Sequence, residues 1–110
     1  MASALELAPL TIVNLLSGVT TTVTGQVFTI RGALPRVVSA KVVGSGAVSA
    51  TVEIYGKAGD GGSNLLATFS LSGTTSDNDG VGIEVPWPEM WAVVTAISGT
   101  GAAVTVTTGY

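Results

Sequence analysis

The sequence predicts an all-β domain: an antiparallel β-sandwich, jelly-roll-like, of eight or nine short strands. Three observations carry this. Apolar residues recur with a period of two, not about 3.6; β-branched residues fill the runs; and Gly or Pro punctuates them at regular spacing. No segment reads as a helix. Residues 1–9 read as an N-terminal arm and residues 10–110 as one sandwich domain, since 110 residues suffice for a single core of ordinary size.

Strands are expected near Leu10–Leu16, Thr20–Thr24, Val27–Arg31, Arg36–Val43, Ala47–Tyr55, Leu65–Leu71, Val81–Val85, Met90–Ile97 and Ala103–Thr108. The clearest alternation sets Val48, Ala50, Val52 and Ile54 on one face and Ser49, Thr51, Glu53 and Tyr55 on the other, as in a strand with one side in a core and the other in water. The preceding run repeats it, with Val38, Ala40 and Val42 inward and Ser39 and Lys41 outward. Gly44-Ser45-Gly46 between them reads as the turn of a hairpin. Ser98-Gly99-Thr100-Gly101 reads as a second hairpin turn, because glycine tolerates the positive φ that short β loops require. If Met90, Ala92, Val94 and Ala96 face the core, then Trp91, Val93 and Ile97 face away. That leaves a strand apolar on both sides, covered either within the domain or by a neighbouring subunit, with the neighbour favoured.

Composition narrows the function. With no His and no Cys, disulfides, thiol nucleophiles, imidazole bases and nearly all zinc or haem sites are excluded. The net charge of −3 offers no basic footprint for nucleic-acid phosphates or anionic lipid, and no apolar run approaches the roughly 20 residues of a membrane span. Neither nucleic acid nor membrane is an expected partner. The N-terminus lacks a basic residue ahead of its apolar run and has Glu6 within it, which argues against a secretory signal and for synthesis in the cytoplasm. Charged residues make up 10% of the chain, where soluble domains carry about 25%. A surface so poor in charge suits contact with other subunits, although a hydroxyl-rich β surface can also do with few charges. Up to Lys57 the charges sum to +2; from Ala58 onward they sum to −5, with no base, so opposite patches could set register between neighbours.

The candidate chemical motifs are weak. Asp77-Asn78-Asp79-Gly80, in the loop Ser72–Gly80, has alternating carboxylates like a calcium loop, but an EF-hand register would put Thr75 first and Pro86 twelfth. A solvated turn is the simpler reading. The loop Gly56–Asn64 has no Gly-Lys-Ser/Thr and no following helix, so it is no phosphate cradle. The carboxylate pairs Glu84/Glu89 and Asp77/Asp79 give no reason for one member to act as a glycosidase acid. No catalytic residue, cofactor or metal is expected. In Pro86-Trp87-Pro88-Glu89-Met90-Trp91 the flanking prolines hold Trp87 extended before a strand, where an indole can plug the sandwich, anchor a partner or stack on a sugar.

The run Ala50-Thr51-Val52-Glu53-Ile54-Tyr55-Gly56, the Gly-Asp-Gly-Gly-Ser-Asn loop, Leu65–Thr74, Pro86-Trp87 and Val94–Ala102 resemble a group of small β-rich virion proteins of tailed bacteriophages, several of them taken to be capsid decoration (cement) proteins. The resemblance covers about residues 47–108, and its motifs are structural. The sequence departs from the pattern at Trp91, where members tend to carry a polar or basic residue, and at Lys57 and Ala58. The resemblance implies a protein on the virion's capsid surface that binds the major capsid protein, commonly as a homotrimer, and bridges capsomers. The residues expected to make contact are Ala2, Leu5, Leu7 and Pro9 in the arm, the apolar group Trp87, Met90 and Trp91, and the bases Arg31, Arg36 and Lys41. The competing expectations are a carbohydrate-binding module using Trp87, and another head or tail structural part.

Overall fold

The computed structural model describes residues 12–30, 36–85 and 87–109. They form β1 (Ile12–Val19), β2 (Val23–Thr24), β3 (Phe28–Thr29), β4 (Arg36–Val43), β5 (Val48–Lys57), β6 (Asn64–Gly73), β7 (Ser76–Ile83), β8 (Glu89–Ser98) and β9 (Ala103–Gly109), with no helix among the described residues. One sheet, A, runs β1-β9-β4-β7; the other, B, runs β2-β8-β5-β6, with β3 also on β8. All pairs are antiparallel. Counting β2 and β3 as one interrupted strand gives two sheets of four, wound as a jelly roll, the predicted class.

The alternation legible in the sequence builds the core. β4 and β5 alternate strictly between buried and more exposed positions. Val38, Ala40, Val42, Val104 and Val106 from sheet A meet Val52, Ile54, Ala92 and Val94 from sheet B, each almost wholly buried. Burying side chains of this size stabilises by roughly 1.5–3 kcal/mol each. Thr108, also fully buried, donates its hydroxyl to the Val37 carbonyl at 2.9 Å, so its polar group does not go unpaired.

Both predicted hairpins are corrected. β4 and β5 lie in opposite sheets, as do β8 and β9. The glycine links cross the sandwich instead of folding a strand beside its predecessor, and they are bound together: Gly44 N–H donates to Thr75 O (2.8 Å) and Ser45 N–H to Thr100 O (3.0 Å). Alternation reports which face is buried; it is silent on whether the next strand lies beside or across. The hairpin within one sheet is β5–β6.

Other strand assignments differ as well. β7 begins at Ser76, so Asp77–Gly80 is strand and not loop. Strand propensity argues against Asp, Asn and Gly, but β7 is an edge strand, where packing demands are lowest. In β8 the register shifts between Val94 and Ala96, opposite Thr51 and Val52. That extra residue turns Ala96 outward, where it is exposed, and brings Ile97 against the core, the reverse of the expected assignment.

Candidate interaction surfaces

The expected contact residues scatter. Ala2, Leu5, Leu7, Pro9 and Arg31 lie outside the described residues. Met90 is 0% exposed and Arg36 2%, so both are corrected from surface to interior. They meet at the end of the sandwich where β4 begins: Arg36 Nη1 donates to the Trp87 carbonyl at 3.4 Å and lies 3.6 Å from Met90 Sδ. The missed signal is the parity of β4, which puts residue 36 on the same face as Val38 and Ala40.

Trp87 is half-buried and packs against the core. Its indole lies over Gly56: a Cβ at residue 56 would come within 2.8 Å of Trp87 Cγ and Cδ2 and of Leu66 Cδ1. The packing expected of a plug is present, while part of the indole stays exposed.

Trp91 points to the outer face of sheet B yet is only 9% exposed within its own chain, which corrects the expectation that a neighbour covers it. It sits directly opposite Tyr55, and the rings stack at 5.7 Å and 12°. That spacing is close to the separation of adjacent strands, so the rings stand side by side on the sheet and turn their faces to each other. Tyr55 donates its hydroxyl to Glu53 Oε1 at 2.8 Å. This bond, then burial, then the carboxylate's charge raise the tyrosine pKa above its ordinary 10.0. A shallow trough of about 150 Å³ lies further along the face, lined by Ser49, Thr51, Ser70, Ser72 and Ala96 among others.

The outer face of sheet A is different. Its cross-strand rows are Ile12, Gly109, Val37 and Gly82; then Asn14, Thr107, Ser39 and Gly80; then Thr105, Lys41 and Asn78; then Ala103, Val43 and Ser76. Lys41, an expected contact residue, is exposed at its centre and is the sole charge in these rows. Ile12 and Val37, 61% and 62% exposed, lie at one end. Thr107 Oγ1 donates to Asn14 Oδ1 at 2.9 Å, tying two side chains of this face to each other. Apart from Lys41, the side chains in these rows are uncharged and short or of middle size.

Among the described residues no cluster of three or more Asp and Glu could hold a metal. Asp77 is engaged locally, accepting from the Ser72 and Asn78 amides (both 2.9 Å), and Asp79 accepts from the Gly80 amide (2.8 Å).

No protein-family model matches this sequence, and no curated protein does. Among solved structures, the SPBc2 prophage-derived protein YomS is similar in fold: the TM-score is 0.65 over 98% of this chain and 97% of that one, at 16% identity. At that identity the likeness is one of fold, and it extends over nearly the whole of both chains.

Proposed function

We propose that this protein is a structural component of a phage virion, a decoration or cement protein that binds the outer head surface and bridges capsomers. The observation that carries this reading is the fold shared, almost end to end, with a prophage-derived protein. The resemblance of residues 47–108 to small virion proteins supports it, as does the outer face of sheet A, whose described rows hold Lys41 as their sole charge. A face of short side chains brings its backbone close to a second surface, and low charge keeps the desolvation cost of contact small. Each contact can be weak. A subunit, or a trimer of them, that touches several capsomers makes every later contact effectively intramolecular. Lys41 and Arg31 would meet acidic capsid surface, and the arm with Leu5 and Leu7 would extend the contact.

The carbohydrate reading has less support, because Trp87 is committed to Gly56 and Trp91 to Tyr55. The test is sedimentation of purified heads with quantification against the major capsid protein. The protein is expected on heads at a fixed copy ratio, and deletion of residues 2–9 is expected to lower its occupancy. Absence from heads, with recovery in tails or in no particle, overturns the proposal.

A further inference from the structure

We propose that the open edge of β6 is a docking strand that takes a short extended segment of a partner protein, one with basic side chains at alternate positions. A sheet edge exposes unpaired main-chain groups, and proteins usually blunt it with bulges, breaks, charges or proline. Among the described residues three of the four edges are blunted. β1 carries two register shifts, β2 and β3 are two-residue pieces, and β7 carries Asp77 and Asp79. β6 runs ten residues, Asn64-Leu-Leu-Ala-Thr-Phe-Ser-Leu-Ser-Gly73, with neither charge nor proline. Its one register shift lies near Leu66, and the Ser72 amide at its other end is taken by Asp77 Oδ2. Ala67–Leu71 is left between.

The direction of the main-chain groups follows from one bond. Because Ser72 N–H points at Asp77, it does not point at Ser49, its partner in β5, so that pair is a non-hydrogen-bonded one. Antiparallel pairs alternate, which makes Ser70–Thr51 and Thr68–Glu53 non-hydrogen-bonded as well. The N–H and C=O of Thr68 and Ser70 therefore face outward from the sheet edge, ready for an added strand of about five residues.

Charge selects the occupant. On β7, Asp79 and Asp77 are paired with Ala40 and Val42, which face the interior, so both acids lie on the side of sheet A turned toward sheet B, next to this edge. Neither β6, β7 nor the link between them carries a base. An added strand sends every second side chain toward those carboxylates. A second copy pairing β6 to β6 would bring its own Asp77 and Asp79 there, and the chain's first eleven residues carry one charge, Glu6. A lysine- or arginine-bearing segment fits where these repel.

The test uses the full chain, isotopically labelled, with two synthetic heptapeptides that alternate lysine, or glutamate, with valine and threonine. The lysine peptide is expected to slow hydrogen exchange at the Thr68 and Ser70 amides by about tenfold or more, and the glutamate peptide to leave them unchanged. Ser70→Pro removes an outward N–H that β5 does not use, so it is expected to fold and to abolish binding. Asp79→Asn is expected to weaken binding several-fold and decides the charge requirement should the proline variant not fold. Lack of protection at either amide, or equal binding of both peptides, overturns the proposal. So does slow exchange at both amides in a peptide-free dimer, which would assign the edge to a second copy. The readout needs no heads, so this inference and the virion reading can fail separately.

Discussion

At one end of the sandwich the links β4–β5, β6–β7 and β8–β9 cross between sheets and are held by main-chain hydrogen bonds from Gly44 to Thr75 and from Ser45 to Thr100. At the other end the same gap is filled by side chains: Trp87 over Gly56, Arg36 beneath the Trp87 carbonyl, and Met90 behind it. The first closure depends on backbone shape and leaves no room for a Cβ at Gly44, Gly73 or Gly99. The second depends on volume and can be repacked. Two ends of one core thus differ in which substitutions they tolerate.

The largest expected effect is at the backbone end. Gly99 has φ +119°, and an added Cβ would lie 2.5 Å from Ala47 O and 3.0 Å from Val48 Cα. Since both neighbours are main chain, Gly99→Ala is expected to cost about 3 kcal/mol or more, read as a lowered denaturation midpoint. A near-neutral result would mean the crossing links are looser than this closure requires.

The side-chain end should respond to volume. Trp87→Ala removes a half-buried indole and is expected to cost about 2–3 kcal/mol. Gly56→Ala alone overpacks against Trp87 and is expected to cost about 1–2 kcal/mol. In the Trp87→Ala background the same change should cost much less, giving a coupling above about 0.5 kcal/mol in a double-mutant cycle. Additive effects would show that the indole does not rest on residue 56.

The smallest effect lies on the outer face of sheet B, at Tyr55 beside Gly56. The Glu53 hydrogen bond favours the protonated phenol of Tyr55, so this residue should ionise above pH 10.0 in the folded chain. A folded pKa raised above the unfolded one contributes stability that is present below pH 10.0 and lost as pH rises toward the folded value. An ultraviolet titration in a Tyr110→Phe background should show this, with Glu53→Gln moving the midpoint back toward 10.0. An unchanged midpoint would remove the carboxylate as the cause.

The contrast between the two ends also marks what can be read from the chain alone. Val38, Ala40 and Val42, and Val48 through Ile54, could be assigned to the core because neighbouring side chains on a strand must point to opposite faces. The strand class and the inward face of β4 and β5 were therefore legible, while Trp87 was left with three open roles. Arg36 was not read as buried, though the parity of β4 contains that information; the apolar partners that enclose it come from residues 87 and 90.

Local residues determined the period-two pattern, the apolar faces and the scarcity of charge. The tertiary structure alone decided that Gly44 and Gly99 carry the chain across the sandwich, that Tyr55 shelters Trp91, and that β6 is left at an edge. Side-chain alternation is set by bond geometry within a few residues. Strand pairing is chosen by packing among segments tens of residues apart, and a single inserted residue, as at Thr95, reverses every face beyond it.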